Sequence, residues 1–352
     1  MDYPQKASIF AAPEGLPMKV FIGLLIFAIG SVCQCSSYVP IQKIKSWSWE
    51  SYWMVQGIFA WLLFPLCGAL LAVPQGESLL SLFAAHPHSS LMTFLFGILW
   101  GIGGLTYGLS VRYLGVALGQ SIALGACSAL GAVLGPVFTG RSHEITYAVL
   151  VGVVVMLAGI VIIGIAGAMK ARALPEEERK KAVKDFNFGK GLVVAFLAGL
   201  MSACFNIGLS FGQDIFLEGT HPAFRTLPAT LLVTVGGFFT NACYCFYQNS
   251  RNKSWGDYGK KSLWGYNLTL CCLAGLLWYS QFFALSLGRG FLAEYPVLIT
   301  FSWCILMSLN VVFSNVWGII LKEWKGVPRK TVGILVAGII VLIISTFLPQ
   351  LL

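Results

Sequence analysis

Ten separate runs of about twenty apolar residues, each long enough to cross a bilayer as a helix, leave this chain few ways to fold. They cover about 18–39, 51–73, 91–111, 116–138, 146–168, 190–212, 226–247, 263–287, 295–321 and 331–350, numbered here spans 1 to 10. In hydrocarbon every backbone N–H and C=O needs a partner within the protein, so only helices and closed barrels cross. The runs are continuously apolar, where barrel strands would alternate. The pattern predicts an all-α integral membrane protein. Span 1 follows a tail carrying Pro13 and Pro17 and is longer than the apolar core of a secretory signal, so it is expected to be retained.

Charge settles the sidedness. Only 11% of the residues are charged, against about 25% in soluble proteins. That composition excludes disorder and nucleic-acid-binding modules, although the net charge is +9. With the loops assigned alternately to two faces, 18 of the 23 Lys and Arg fall on one of them. They include Lys43 and Lys45, the cluster from Lys170 to Lys190, Arg251 to Lys261, and Lys322 to Lys330. By the positive-inside rule this basic face is cytoplasmic, and both termini lie outside. His86, His88, His143 and His221 all fall in loops of the opposite face, so no histidine is placed within the membrane to relay a proton. The ten cysteines sit inside apolar runs without CxxC spacing and read as small buried hydrophobes.

The longest hydrophilic connection, 169–189, contains LPEEERKKAVKDF and divides the chain into membrane units 1–168 and 190–352. Five spans in each half means that the second half enters the membrane in the opposite sense. Gly97-Ile-Leu-Trp100 recurs as Gly275-Leu-Leu-Trp278, and Ser31-Val-Cys33 as Ser202-Ala-Cys204, each about half a chain apart. The expected architecture is an inverted five-plus-five repeat. Glycines between 97 and 135 predict close packing of spans 3 and 4. Spans 5 and 10 carry almost nothing polar, which suits a face toward lipid or toward a second copy, in a monomer or homodimer.

Polar side chains at membrane depth either glue helices together or line a wet cavity. Here they are spread over eight spans, which predicts a polar cavity between the halves. Gln34, Tyr38, Tyr107, Gln120, Asn206 and Gln281 are the candidate binding groups, with Trp100, Trp278 and Trp303 as deep aromatic faces. Indole against the C–H face of a sugar, with amides on its hydroxyls, makes a carbohydrate site. Trp47, Trp49, Tyr52 and Trp53 read instead as an interfacial belt. Glu294 is the one carboxylate flanked on both sides by span-like sequence, and is the candidate for proton coupling. That role requires burial rather than pairing with Arg289. Glu323, beside Lys322 and Lys325, reads as structural.

No Walker A run, nucleophile–base constellation or metal-ligand spacing occurs, so neither an enzyme nor a cofactor is predicted beyond a proton as coupling ion. Three uses fit such a bundle: proton-coupled sugar uptake, export of a small metabolite, and a sugar sensor that does not transport. The last has no loop large enough for a soluble output domain.

The stretches IQKIKSWSWESYW (41–53), GILWGIGGLTYGLSVRYLGVALGQSIALG (97–125), GLLWYSQFF (275–283) and LKEW (321–324) resemble the bacterial L-rhamnose–proton symporter family, within the drug/metabolite transporter superfamily. The resemblance runs across nearly the whole chain and departs from the family pattern around Glu294-Tyr295-Pro296. It implies ten inverted-repeat helices in a bacterial inner membrane, uptake of L-rhamnose or a related deoxyhexose, and coupling to the proton gradient.

Overall fold

The computed structural model describes residues 18–74, 76–114, 116–173, 188–259, 261–321 and 324–352; most of the charged linker, and Glu323, lie outside them. Ten helices among the described residues are long and apolar enough to cross a membrane: Met18–Ile41, Trp49–Leu70, Pro87–Tyr107, Gly119–Phe138, Tyr147–Arg172, Gly189–Phe211, Pro222–Asn252, Ser262–Phe291, Pro296–Ile320 and Arg329–Leu351. Each overlaps its predicted run, and all are named below by span number.

Local chemistry sets the helix ends. Thr146 caps span 5, its Oγ1 accepting from Val149 N at 3.3 Å, and Lys170 and Arg172 sit in the last turn, where the dipole favours cations. Proline occupies the first turn of spans 7 and 9, where its missing N–H costs nothing. Span 9 therefore starts at Pro296 and runs unbroken. Span 7 stops at Lys253, which adopts the left-handed conformation at φ +56°. Span 2 is not uniformly α-helical: Trp49–Gly57 and Phe64–Leu70 are joined by a π segment, Ile58–Leu63.

Span 6 packs on spans 3 and 4, and span 1 on spans 8 and 9. Spans 3 and 7 lie together, as do spans 2 and 8, and spans 5 and 10 pack on each other. Glycine permits these approaches. A Cβ on Gly30 would lie 2.5 Å from that of Ala284 in span 8, and one on Gly97 would run into the Val233 carbonyl of span 7. The close packing expected between spans 3 and 4 is thus redirected. Gly97, Gly101 and Gly103 of span 3 face spans 6 and 7 instead, because those helices cross it nearest. Spans 5 and 10 turn Val154, Val161, Ile340 and Ile344 outward as an exposed apolar face.

The main core gathers Phe27, Phe205, Phe282, Leu285, Phe301 and Trp303 between the helices. A smaller cluster of Trp47, Val55 and Cys271, with Tyr258 and Trp264, seals the basic face. Beside it lies a buried polar network. Glu50 Oε1 accepts from Ser254 Oγ at 2.6 Å and Asn252 Nδ2 at 3.0 Å, while Asp257 Oδ2 accepts from Ser48 N and Ser51 Oγ. Each carboxylate is held by donors, as burial of a charge requires. Burial pushes the Tyr258 phenol, which bonds to Ser51 O, up to about 12.

Candidate functional site

A cavity of about 580 Å³ sits between spans 1, 3, 4, 6, 8 and 9, within the usual range of small-molecule pockets, about 300–1,000 Å³. Its lining on span 1 runs from Gln34 to Gln42, and on span 9 from Trp303 to Leu321. Both ranges end at the basic face. On spans 6 and 8 it stops at Ser202, Phe205, Gln281 and Phe282, near mid-membrane. The cavity therefore opens toward the basic face and is closed toward the other.

Gln34, Tyr38, Trp100, Tyr107, Gln120, Trp278, Gln281 and Trp303 are brought together on its walls. Asn206 is not. One residue along from Phe205, it turns about 100° away toward span 4, where its Nδ2 donates to Gly131 O at 2.7 Å. Its position makes it helix glue rather than cavity lining. Glu294 is also apart from the cavity, and the burial that proton carriage was expected to require is absent. The side chain is 67% exposed in the turn before span 9, at the mouth of the opposite face, and pairs with Lys19 Nζ at 2.8 Å. Arg289, its expected partner, instead donates through Nε to Ser302 Oγ at 2.8 Å.

The closed end of the cavity is aromatic. Phe205 stacks on Phe282 at 4.2 Å and on Trp303 at 5.7 Å, and meets Trp100 edge-on at 5.0 Å. Trp100 and Trp278 lie 5.9 Å apart, and Trp61, carried on the π segment of span 2, packs edge-on against both. Gly131 leaves the room Trp303 occupies: a Cβ there would lie 2.6 Å from the indole nitrogen. That nitrogen donates to Cys127 O, fixing the ring.

Polar groups line the rest of the wall. Asn310 Nδ2 donates to Gln281 Oε1 at 2.9 Å, and Gln281 Nε2 to Trp278 O at 3.2 Å. Asn310 Oδ1 is buried and finds no donor among the described residues. The Cys35 thiol lies within 3.3 Å of Gln34 Oε1, Asn310 O and Ser314 Oγ. Trp317 Nε1 donates to Ser36 Oγ. Phe205, Phe282, Cys35, Asn310, Ser314 and Trp317 are thus wall residues beyond the candidates the sequence supplied.

None of the lining residues among the described residues is charged. Amides and hydroxyls beside a broad aromatic floor suit a neutral ligand with many hydroxyls and one apolar face. A helical membrane bundle with such a cavity, open at one face only, is a small-molecule transporter. Comparison with known proteins narrows this. Residues 17–351 match the family model described as L-rhamnose-proton symport protein (RhaT). The chain is 33% identical over 342 residues to the L-rhamnose-proton symporters of Shigella dysenteriae and Escherichia coli, covering 93% of this chain and 96% of theirs. The Klebsiella pneumoniae L-rhamnose-proton symporter is 33% identical over 346 residues. The chain belongs to this family, a multi-pass transporter of the bacterial inner membrane.

Proposed function

We propose that the protein takes up L-rhamnose, or a closely related deoxyhexose, together with a proton by alternating access. The observation carrying this is the uncharged amide-and-indole cavity in a chain related throughout its length to named L-rhamnose-proton symporters. A 6-deoxy sugar offers hydroxyls to Gln281, Gln120 and Asn310 and a methyl-bearing face to the Trp100, Trp278 and Trp303 floor. The metabolite-exporter reading gains no support from a cavity whose family relatives carry symporter names.

Helix packing supports an inverted repeat. The contact of span 1 with span 8 has its counterpart in span 6 with span 3, that of span 2 with span 8 in span 7 with span 3, and spans 5 and 10 pair with each other. Adding five to each number maps these pairs onto one another, as a two-fold axis in the membrane plane requires. With the basic face cytoplasmic and both termini outside, this is the inward-open state.

For Glu294 we propose the gating rather than the carrying role in coupling, one that an exposed ion pair at the closed outer face fills without burial. Its carboxylate ties the turn between spans 8 and 9 to Lys19 of span 1, so loss of that pairing would release span 1. The test is sugar-induced alkalinisation of de-energised cells across a panel of sugars. L-Rhamnose is expected to raise external pH; no change with any sugar would sink the symport reading. In Glu294→Gln, concentrative uptake should fail while sugar counterflow persists, and accumulation against a gradient in that variant would move the proton elsewhere.

A further inference from the structure

A second cavity, of about 420 Å³, lies on the outer wall of the bundle between spans 4, 5 and 6. It is a groove open to its surroundings at membrane depth: Val161, Ile165 and Phe196 line it and are each about half exposed. Small side chains create it. Gly125 and Ala129 on span 4 and Gly164 and Ala168 on span 5 all line it, so the helices leave a slot between bulkier neighbours. Even a Cβ on Gly125 would make only ordinary contact, 3.4 Å from Leu157. Ser121 is the one polar side chain in the lining among the described residues.

The groove's chemistry changes at its basic-face end. Ala168 lines it, and Arg172 stands four residues further on the same face of span 5. Arg172 is exposed and takes part in no ion pair among the described residues. It belongs to the face that carries 18 of the 23 basic residues, where an anionic headgroup is favoured electrostatically. An apolar slot at membrane depth ending in an exposed guanidinium matches one occupant, a molecule with a long hydrocarbon chain and a negative head.

We propose that this groove holds an acyl chain of one anionic phospholipid, with its headgroup on Arg172. The position has a consequence for the central cavity. Gln120, Leu124 and Cys127 line that cavity from the other side of span 4, and Ser202 and Phe205 line it from span 6, the helix that gives Phe196 to the groove. The lipid buttresses the back of the wall that holds the sugar, independently of which sugar is carried.

The test uses the full-length protein purified from phosphatidylcholine bilayers containing phosphatidylglycerol, with retained lipid measured by native mass spectrometry. The wild type should retain phosphatidylglycerol about fivefold over phosphatidylcholine, the ~1 kcal/mol of one Arg near an anionic surface. Arg172→Gln should retain both lipids equally. Ala129→Phe should fill the groove and lose both, while staying monodisperse and able to bind sugar. Val161→Trp, at the exposed rim, repeats that test if Ala129→Phe does not fold. Equal retention of both lipids by the wild type overturns the proposal, as does full retention by either filled variant. So does a dimer that the filled variants split, which would make the groove's occupant a second copy.

Discussion

Gln281 and Asn310 meet across spans 8 and 9, and replacing either one disturbs the other. Asn310 Nδ2 donates to Gln281 Oε1, while Asn310 Oδ1 already lacks a donor. Gln281→Ala strands the Asn310 amide as well as removing a group from the wall. A buried polar group left unpaired costs about 1–3 kcal/mol, and each 1.4 kcal/mol is about tenfold in affinity. The expected result is sugar binding weakened by roughly ten- to a hundredfold in Gln281→Ala and in Asn310→Ala. The double variant should not show the product of the two losses, because the first change has already broken their mutual bond. The two should couple by about 0.5–3 kcal/mol. Titration of the purified protein by indole fluorescence gives the affinities directly, since Trp100, Trp278 and Trp303 border the cavity. Thermal unfolding checks that the variants remain folded. Affinity within twofold of wild type in both single variants, or losses that simply multiply, would refute the pair as a binding unit.

Gly131→Ala should push Trp303 out of its stack on Phe205, lowering sugar affinity and costing about 1–3 kcal/mol of stability by overpacking; an unchanged melting temperature and affinity would show that the ring shifts freely. Single cysteines placed at exposed positions 251 and 253 in a background lacking the native thiols should react with an impermeant reagent only from the cytoplasm. Labelling there from outside would invert the assigned orientation.

The ten helices were legible because lipid imposes one rule on every segment: a run long enough and apolar enough must be helical. The cavity was largely legible for the converse reason. Gln34, Gln120 and Gln281 are costly in hydrocarbon, and their presence demands a wet or paired site. Phe205 and Phe282 carry no such signature, since a phenylalanine in an apolar run is equally at home facing lipid, core or ligand. Cys35 read as a small hydrophobe, yet its thiol joins an amide, a hydroxyl and a carbonyl. Asn206 shows the limit from the other side, because composition does not say which way a polar side chain faces. Glu294 stood out for its apolar flanks, but the turn before Pro296 carries it to the surface, and Lys19 is 275 residues away in sequence. Pairings at that range depend on how the helices are arranged, which hydropathy does not encode.

The π segment of span 2 has a mechanical consequence. A π turn holds one residue more than an α turn, so Ile58–Leu63 stores an offset in register. Its conversion to α-helix would rotate Phe64–Leu70 by roughly 100° relative to Trp49–Gly57. The near end is clamped, with Glu50 and Ser51 fastened to Ser254 and Asp257. At the far end Gly68 lies flush against Tyr279 of span 8 with no side chain to key the two together. Span 2 is built as a torsion joint, its offset held between that clamp and an outer end that packs on spans 7 and 8. Trp61 is its tooth, set against the two indoles at the closed end of the cavity.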